Sequence, residues 1–115
     1  MTNPVVHFEI MGSDGDKLRG FYSDLFGWKF NVMEGMDYGL VEAQDGQGIG
    51  GGIGADPSSP ASVTVYIAVD DPQAYLDRVT SMGGEITQPV TEIPDVVTFA
   101  QFKDPQGNIV GLVKA

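Results

Sequence analysis

The feature that most constrains this chain is that its second half repeats the order of its first. A shift of 57 positions (7 to 64) carries His7 onto Thr64, Asp14 onto Asp71, Leu25 onto Met82 and Gly27 onto Gly84. A shift of 61 (46 to 107) carries the turn glycine Gly46 onto Gly107, so the second copy has gained four residues before its last hairpin. A period of this length marks an internal duplication of one supersecondary unit.

Each copy has the same order of signals. In "VVHFEIM", strand alternation puts Val6, Phe8 and Ile10 on one face and Val5, His7, Glu9 and Met11 on the other. "GSDGD" then turns the chain and caps a helix. In "KLRGFYSDLFGW" Leu18, Phe21, Tyr22 and Leu25 form its packing stripe, and Gly27 stands just past its end. Short strands follow at "KFNVM", "YGLVEA" and "GIGGGIG".

The second copy opens with "ASVTVYIAVDD", where Val63, Val65, Ile67 and Val69 alternate with Thr64, Tyr66 and Ala68. A helix over "DPQAYLDRVTSMGG" is expected to pack through Ala74, Tyr75, Val79 and Met82 and to end at Gly83 and Gly84. Strands at "EITQPV", "VVTFAQF" and "NIVGLVK" complete it. The expected chain is α+β, with two tandem βαβββ modules at 1–56 and 61–115 in one domain of 115 residues. Its Pro- and Ser-rich linker spans 55–62.

Composition removes several function classes. Six basic against sixteen acidic residues give a net charge of -10, which repels phosphate backbones and anionic lipid surfaces, so neither nucleic acid nor membrane is an expected partner. With no cysteine there is no disulfide, thiolate nucleophile or cysteine-ligated metal. The N-terminal stretch has no basic leader with an apolar core, and no apolar run reaches the ~20 residues of a bilayer span, so cytoplasmic residence is the default expectation. "GIGGGIG" lacks the Lys-Ser or Lys-Thr and the following helix of a phosphate loop, and its bare strand is expected to widen a cleft. Ser58 and Ser59 read as linker, and Asp70, Asp71 and Asp104 as turn and cap residues. Phe26, Trp28 and Phe30 read as packing or dimer-forming aromatics.

The ordered set "HFEIMGSD", "FYSDLFGWKF", "YIAVDDPQAYLDRV" and "FKDPQGNIVGLV" resembles the vicinal oxygen chelate superfamily of glyoxalase I, bleomycin-resistance proteins, fosfomycin-resistance enzymes and extradiol dioxygenases. The likeness covers nearly the whole chain. It implies modules whose strands curl into a cup-like mixed sheet with helices outside and a ligand cleft inside, and it implies a homodimer.

Metal-using relatives place a His on the first strand of each module and a carboxylate or amide on the last. His7 matches, but Thr64, Gly50 and Gly111 stand at the other three positions. A threonine hydroxyl is a poor ligand and glycine offers only backbone, so no metal is expected, and a weakly held divalent ion is the alternative. Glu9 shares the face of His7, and the family cup would bring Thr64 and Tyr66 near it. His7 has two readings, a packing or hydrogen-bonding residue, or with Glu9 an acid–base pair. The resemblance therefore implies a metal-free cup for a small organic molecule, with Thr64, Tyr66, Gly50 and Gly111 facing it. The alternative is a lyase or isomerase of glyoxalase type, or a dioxygenase-like enzyme, using His7 and Glu9.

Overall fold

The computed structural model describes residues 2–58 and 60–115; Ser59 of the expected linker lies outside them. Among the described residues the chain forms β1 (Val5–Gly12), α1 (Gly15–Phe26), β2 (Asn31–Val32), β3 (Tyr38–Val41), β4 (Gly51–Ala55), β5 (Ser62–Val69), α2 (Pro72–Ser81), β6 (Glu85–Ile93), β7 (Val97–Lys103) and β8 (Ile109–Lys114). Every expected strand and helix is present, in the α+β order βαβββ twice over.

The chain divides into two compact units: His7–Val63, and Thr64–Ala115 together with the residues up to Val6. In the first, β1 pairs in parallel with β4, β4 antiparallel with β3, and β3 antiparallel with β2. The second has the same pattern: β5 parallel with β8, then antiparallel β8–β7 and β7–β6. The N-terminal residues join the second unit through an Ala68 N–H bond to the Pro4 carbonyl at 2.9 Å.

Local chemistry explains the shared boundaries. Asp14 and Asp71 are both helix N-caps, at φ -137°, ψ 98° and φ -137°, ψ 90°, accepting from the backbone N–H of Lys17 and Ala74. The helix ends differ. α1 closes at Gly27 in the left-handed region (φ 74°), whereas α2 stops at Met82 and turns at Gly83 (φ 91°), one residue before the position that the repeat predicts. β4 starts only at Gly51, later than the glycine run suggests, because Gly46 and Gly48 have positive φ and belong to a turn. In the closing turn Asp104 accepts from the N–H of Gln106 and Asn108 and from the Asn108 amide, while Gly107 sits at φ 96°. Those hydrogen bonds to Asn108 hold the exposed Asp104 carboxyl below its usual range.

The buried faces depart from the periodicity in three places. In α1 the expected stripe is largely open: Phe21 and Leu25 are 58% and 59% exposed, and Arg19 is buried instead. In α2 Ala74 and Met82 face solvent, and Leu76 anchors the helix. In β5 the apolar residues Val63 and Val65 are 71% and 39% exposed, while Thr64 and Tyr66 are buried at 5% and 4%. Hydrophobicity alone marks a face as apolar but not which neighbour covers it.

In the second unit Leu76 packs with Val69, Ala100 and Leu112, flanked by Ile67, Tyr75, Val90 and Phe102. Leu76→Ala opens a cavity at the centre of this cluster and is expected to cost about 2–5 kcal/mol, measured by urea unfolding. Met82→Ala, on the same helix but exposed, is expected to change stability by no more than about 0.5 kcal/mol.

Candidate functional site

Alternation along β1 turns His7 and Glu9 to one face and Phe8 to the other. Phe8 meets Trp28 with ring centroids 5.7 Å apart, and Trp28 also contacts Tyr22, Phe26 and Phe30 at 5.7, 5.5 and 6.4 Å. These aromatics thus pack on the helix side of the unit.

On the opposite face the sequence reading missed Tyr38. Its hydroxyl lies 2.9 Å from His7 Nε2 and donates to Glu9 Oε2 at 3.1 Å. A carboxylate only accepts and a phenol has a single proton, so the His7 Nε2–H donates to the phenol oxygen. Three side chains from two strands therefore share one oxygen. Burial lowers the His7 pKa below its usual 6.5, so the imidazole is neutral at pH 7.

Glycine makes this arrangement possible. Gly52 is registered beside Glu9 on β1 and Leu40 on β3, so its missing side chain would project on the same face. A Cβ there would collide with the ring and hydroxyl of Tyr38. The second unit repeats the device: Tyr66 is registered opposite Gly111, its ring fills the space above that glycine, and its hydroxyl accepts from Gln101 Nε2 at 2.7 Å. The bare glycines do not widen a space, contrary to expectation; tyrosine rings fill it. Gly50 lies just ahead of β4, where a Cβ would stand 2.9 Å from the Val41 carbonyl. Thr64 is buried at the start of its unit, on the Tyr66 face of β5.

Behind Tyr38, on the helix side of β3, lies Arg19, also missed in the sequence reading. Its guanidinium donates to the Ile53 carbonyl at 2.9 Å, to Asp37 at 2.9 Å and to Asp16 at 2.7 Å. Desolvation pulls its pKa down, but the hydrogen bonds and charges of Asp37 and Asp16 outweigh this and leave it raised. Gly39 gives the Arg19 side chain room, since a Cβ there would come 2.6 Å from its Cδ. The sequence clue was a lone arginine next to the apolar stripe of α1.

The superfamily's metal chemistry needs three nitrogen or oxygen ligands around one ion. Among the described residues no three His, Asp or Glu side chains converge. His7 and Glu9 point at a phenol at hydrogen-bond distances, and Gly52 and Gly111 sit beneath rings. The residues present do not fit that metal.

The Glyoxalase/Bleomycin resistance protein/Dioxygenase superfamily matches residues 5–112. The chain belongs to this superfamily. It is 31% identical to a putative glyoxylase of Mycobacterium bovis over 117 residues, which cover 98% of this chain and 44% of that protein. The chain thus spans less than half the length of that curated relative. Among solved structures, a superfamily member from Vibrio splendidus matches with a TM-score of 0.67 at 17% identity, covering 99% of this chain and 100% of that one. Methylmalonyl-CoA epimerase of Streptomyces coelicolor, in complex with 2-nitronate-propionyl-CoA, matches with a TM-score of 0.67 at 14% identity, covering 100% and 99%. At these identities the structural likeness shows the superfamily fold alone.

Two outcomes follow from the geometry. The imidazole of His7 is expected to titrate below pH 6.5 by NMR. Because the unfolded chain then binds the proton more readily, stability falls as pH drops through 6.5 and levels off below the folded pKa, and His7→Gln removes that part of the pH dependence. Arg19→Met leaves the Ile53 carbonyl without its guanidinium donor and is expected to cost about 1–3 kcal/mol in denaturant unfolding. Asp16→Asn is expected to cost far less, because Asp16 is 97% exposed.

Proposed function

We propose that this superfamily member works without a metal and binds a small, partly apolar organic molecule, by sequestration or as a ligand-sensing unit. The observation that carries this reading is the Tyr38 hydroxyl shared by His7 Nε2 and Glu9 Oε2, which spends both potential ligands on a phenol. A ring flanked by one imidazole and one carboxylate is a surface with a few placed polar groups in apolar surroundings, the chemistry typical of organic-ligand sites. The remaining residues expected to face the ligand, Thr64, Tyr66, Gly50 and Gly111, belong to this reading only if binding displaces what covers them, since the Tyr66 ring lies over Gly111 and Thr64 and Tyr66 are buried.

A hollow of about 480 Å³ lies at the β2–β3 side of the first unit, lined by residues that include Lys29, Phe30, Asn31, Leu40 and Glu42 but not by His7, Glu9 or Tyr38. The net charge of -10 favours a neutral or cationic ligand over a strongly anionic one. No helix among the described residues is long and apolar enough to cross a membrane. Cytoplasmic residence and a homodimer belong to the same proposal, the latter supported by the exposed Phe21, Leu25 and Phe26 of α1.

A second reading is a lyase or isomerase of glyoxalase type, or a dioxygenase-like enzyme, that uses His7 and Glu9 as an acid–base pair with a weakly held or absent metal. It is favoured by one specific observation: a neutral imidazole linked through a phenol to a carboxylate can accept and pass a proton.

Elemental analysis joined to a thermal-shift screen separates these readings. The expected result is no stoichiometric metal, no shift with manganese, iron, nickel or zinc, and a shift with members of a small organic library that is lost in Tyr38→Ala. Metal at one equivalent, released by His7→Ala, would sink the metal-free reading. Turnover of an α-oxo aldehyde adduct that vanishes in both His7→Ala and Glu9→Ala would establish the enzyme instead.

A further inference from the structure

We infer that the second unit carries a recognition site for a neutral amide group, built from Gln101 and Gln88 beside Tyr66; it names a ligand class for the small-molecule reading above and rests on that reading. Strand register places the site. Tyr66 on β5 pairs with Gly111 on β8, Gly111 with Gln101 on β7, and Gln101 with Gln88 on β6, so the four positions form one row across four strands. The Tyr66 ring crosses the bare Gly111 to meet Gln101 Nε2 at 2.7 Å. Phe102, the next residue, packs against the Leu76 cluster, so alternation puts both amides on the face opposite the helix.

β6 is bent to make this row. Ile86 stands opposite Phe102, so an unbroken ladder would set Thr87 against Gln101; a register irregularity puts Gln88 there instead. A second irregularity sets Thr91 rather than Val90 opposite Phe99, and Val90 turns to the Leu76 cluster. Bulges that re-aim side chains in this way are frequent beside functional sites.

Hydrogen bonds then fix what each amide offers. Thr91 gives its proton to the Pro89 carbonyl at 2.8 Å, so its oxygen accepts from Gln88 Nε2, also at 2.8 Å. Gln101 Nε2 is held by the Tyr66 hydroxyl. Among the described residues neither side-chain amide has a further hydrogen-bond partner, so each keeps a carbonyl oxygen and one N–H. Side chains directly opposite on paired strands stand about 5 Å apart at Cβ. Two half-buried carboxamides at that spacing match one ligand amide, whose N–H donates to one carbonyl and whose own carbonyl accepts from the other N–H. A carboxylate has no N–H to give and is opposed by the net charge of -10. The next row on this face, Thr91, Phe99, Val113 and Ala68, is mostly apolar and suits the ligand's apolar body.

The test titrates the full chain with benzamide, benzoate and methyl benzoate while the side-chain NH₂ signals of ¹⁵N-labelled protein are followed by NMR. Benzamide is expected to move the Gln88 and Gln101 signals and to bind at least about fivefold tighter than the other two, because a site built to hydrogen-bond a group rejects the analogue that lacks it. Gln88→Met and Gln101→Met keep the bulk, remove the amide, and are each expected to erase that preference. Equal response to the three probes, or a preference that survives both substitutions, overturns the inference. So does an absence of benzamide binding in a protein that binds another organic compound through Tyr38, and the small-molecule reading then stands. No binding by any organic compound overturns both. If Gln101→Met does not fold, Gln88→Met on the edge strand decides alone.

Discussion

The buried guanidinium of Arg19 is the interaction on which the first unit's arrangement depends. It sits between α1 and the β3–β4 pair, 5% exposed, and bonds Asp37 at the head of β3, the Ile53 carbonyl on β4 and Asp16 on its own helix. Desolvating a cation is costly, and only a full set of acceptors makes it tolerable. Those acceptors must come from three elements at once, so the guanidinium acts as a register pin. Tyr38 follows Asp37 and Gly52 precedes Ile53, and the meeting of phenol and glycine on the far face follows from this pin.

Glycine plays an unusual part in that meeting. Glycines weaken a strand interior because they add backbone entropy and no packing. Here they are compensated by rings from neighbouring strands: Phe8 over Gly51, Tyr38 over Gly52 and Tyr66 over Gly111. Each unit thereby places a tyrosine hydroxyl on the face of its sheet opposite the helix, one bonded to His7 and Glu9, the other to Gln101. A duplicated scaffold that elsewhere in its superfamily supports metal chemistry presents phenols here. The same fold can host both chemistries because the backbone ladder does not depend on what occupies that face.

The duplication itself was legible in the sequence because local rules carry it. Asp at an N-cap, glycine past a helix end and glycine in a turn each answer to backbone hydrogen bonding within a few residues, and Asp14 and Asp71 adopt nearly the same dihedral angles. The α2 end shows the limit of that symmetry: the repeat points to Gly84, yet the left-handed turn falls on Gly83, since either glycine suits it and helix length decides. His7 and Glu9 were likewise legible as one face, because strand alternation needs no partner to be read.

By itself, then, the sequence determined the superfamily, the twofold βαβββ order, and the caps and turns. Tertiary structure alone decided which faces are covered and what meets His7. Phe21 and Leu25 have the spacing of a buried stripe and lie open, while Arg19 beside them is buried. Tyr38 is 31 residues from His7 in the chain and reaches it only because β3 pairs with β4 and β4 with β1. Periodicity reports the chemistry of one element's surface; the contact between two such surfaces depends on strand order, register and the space left by glycines.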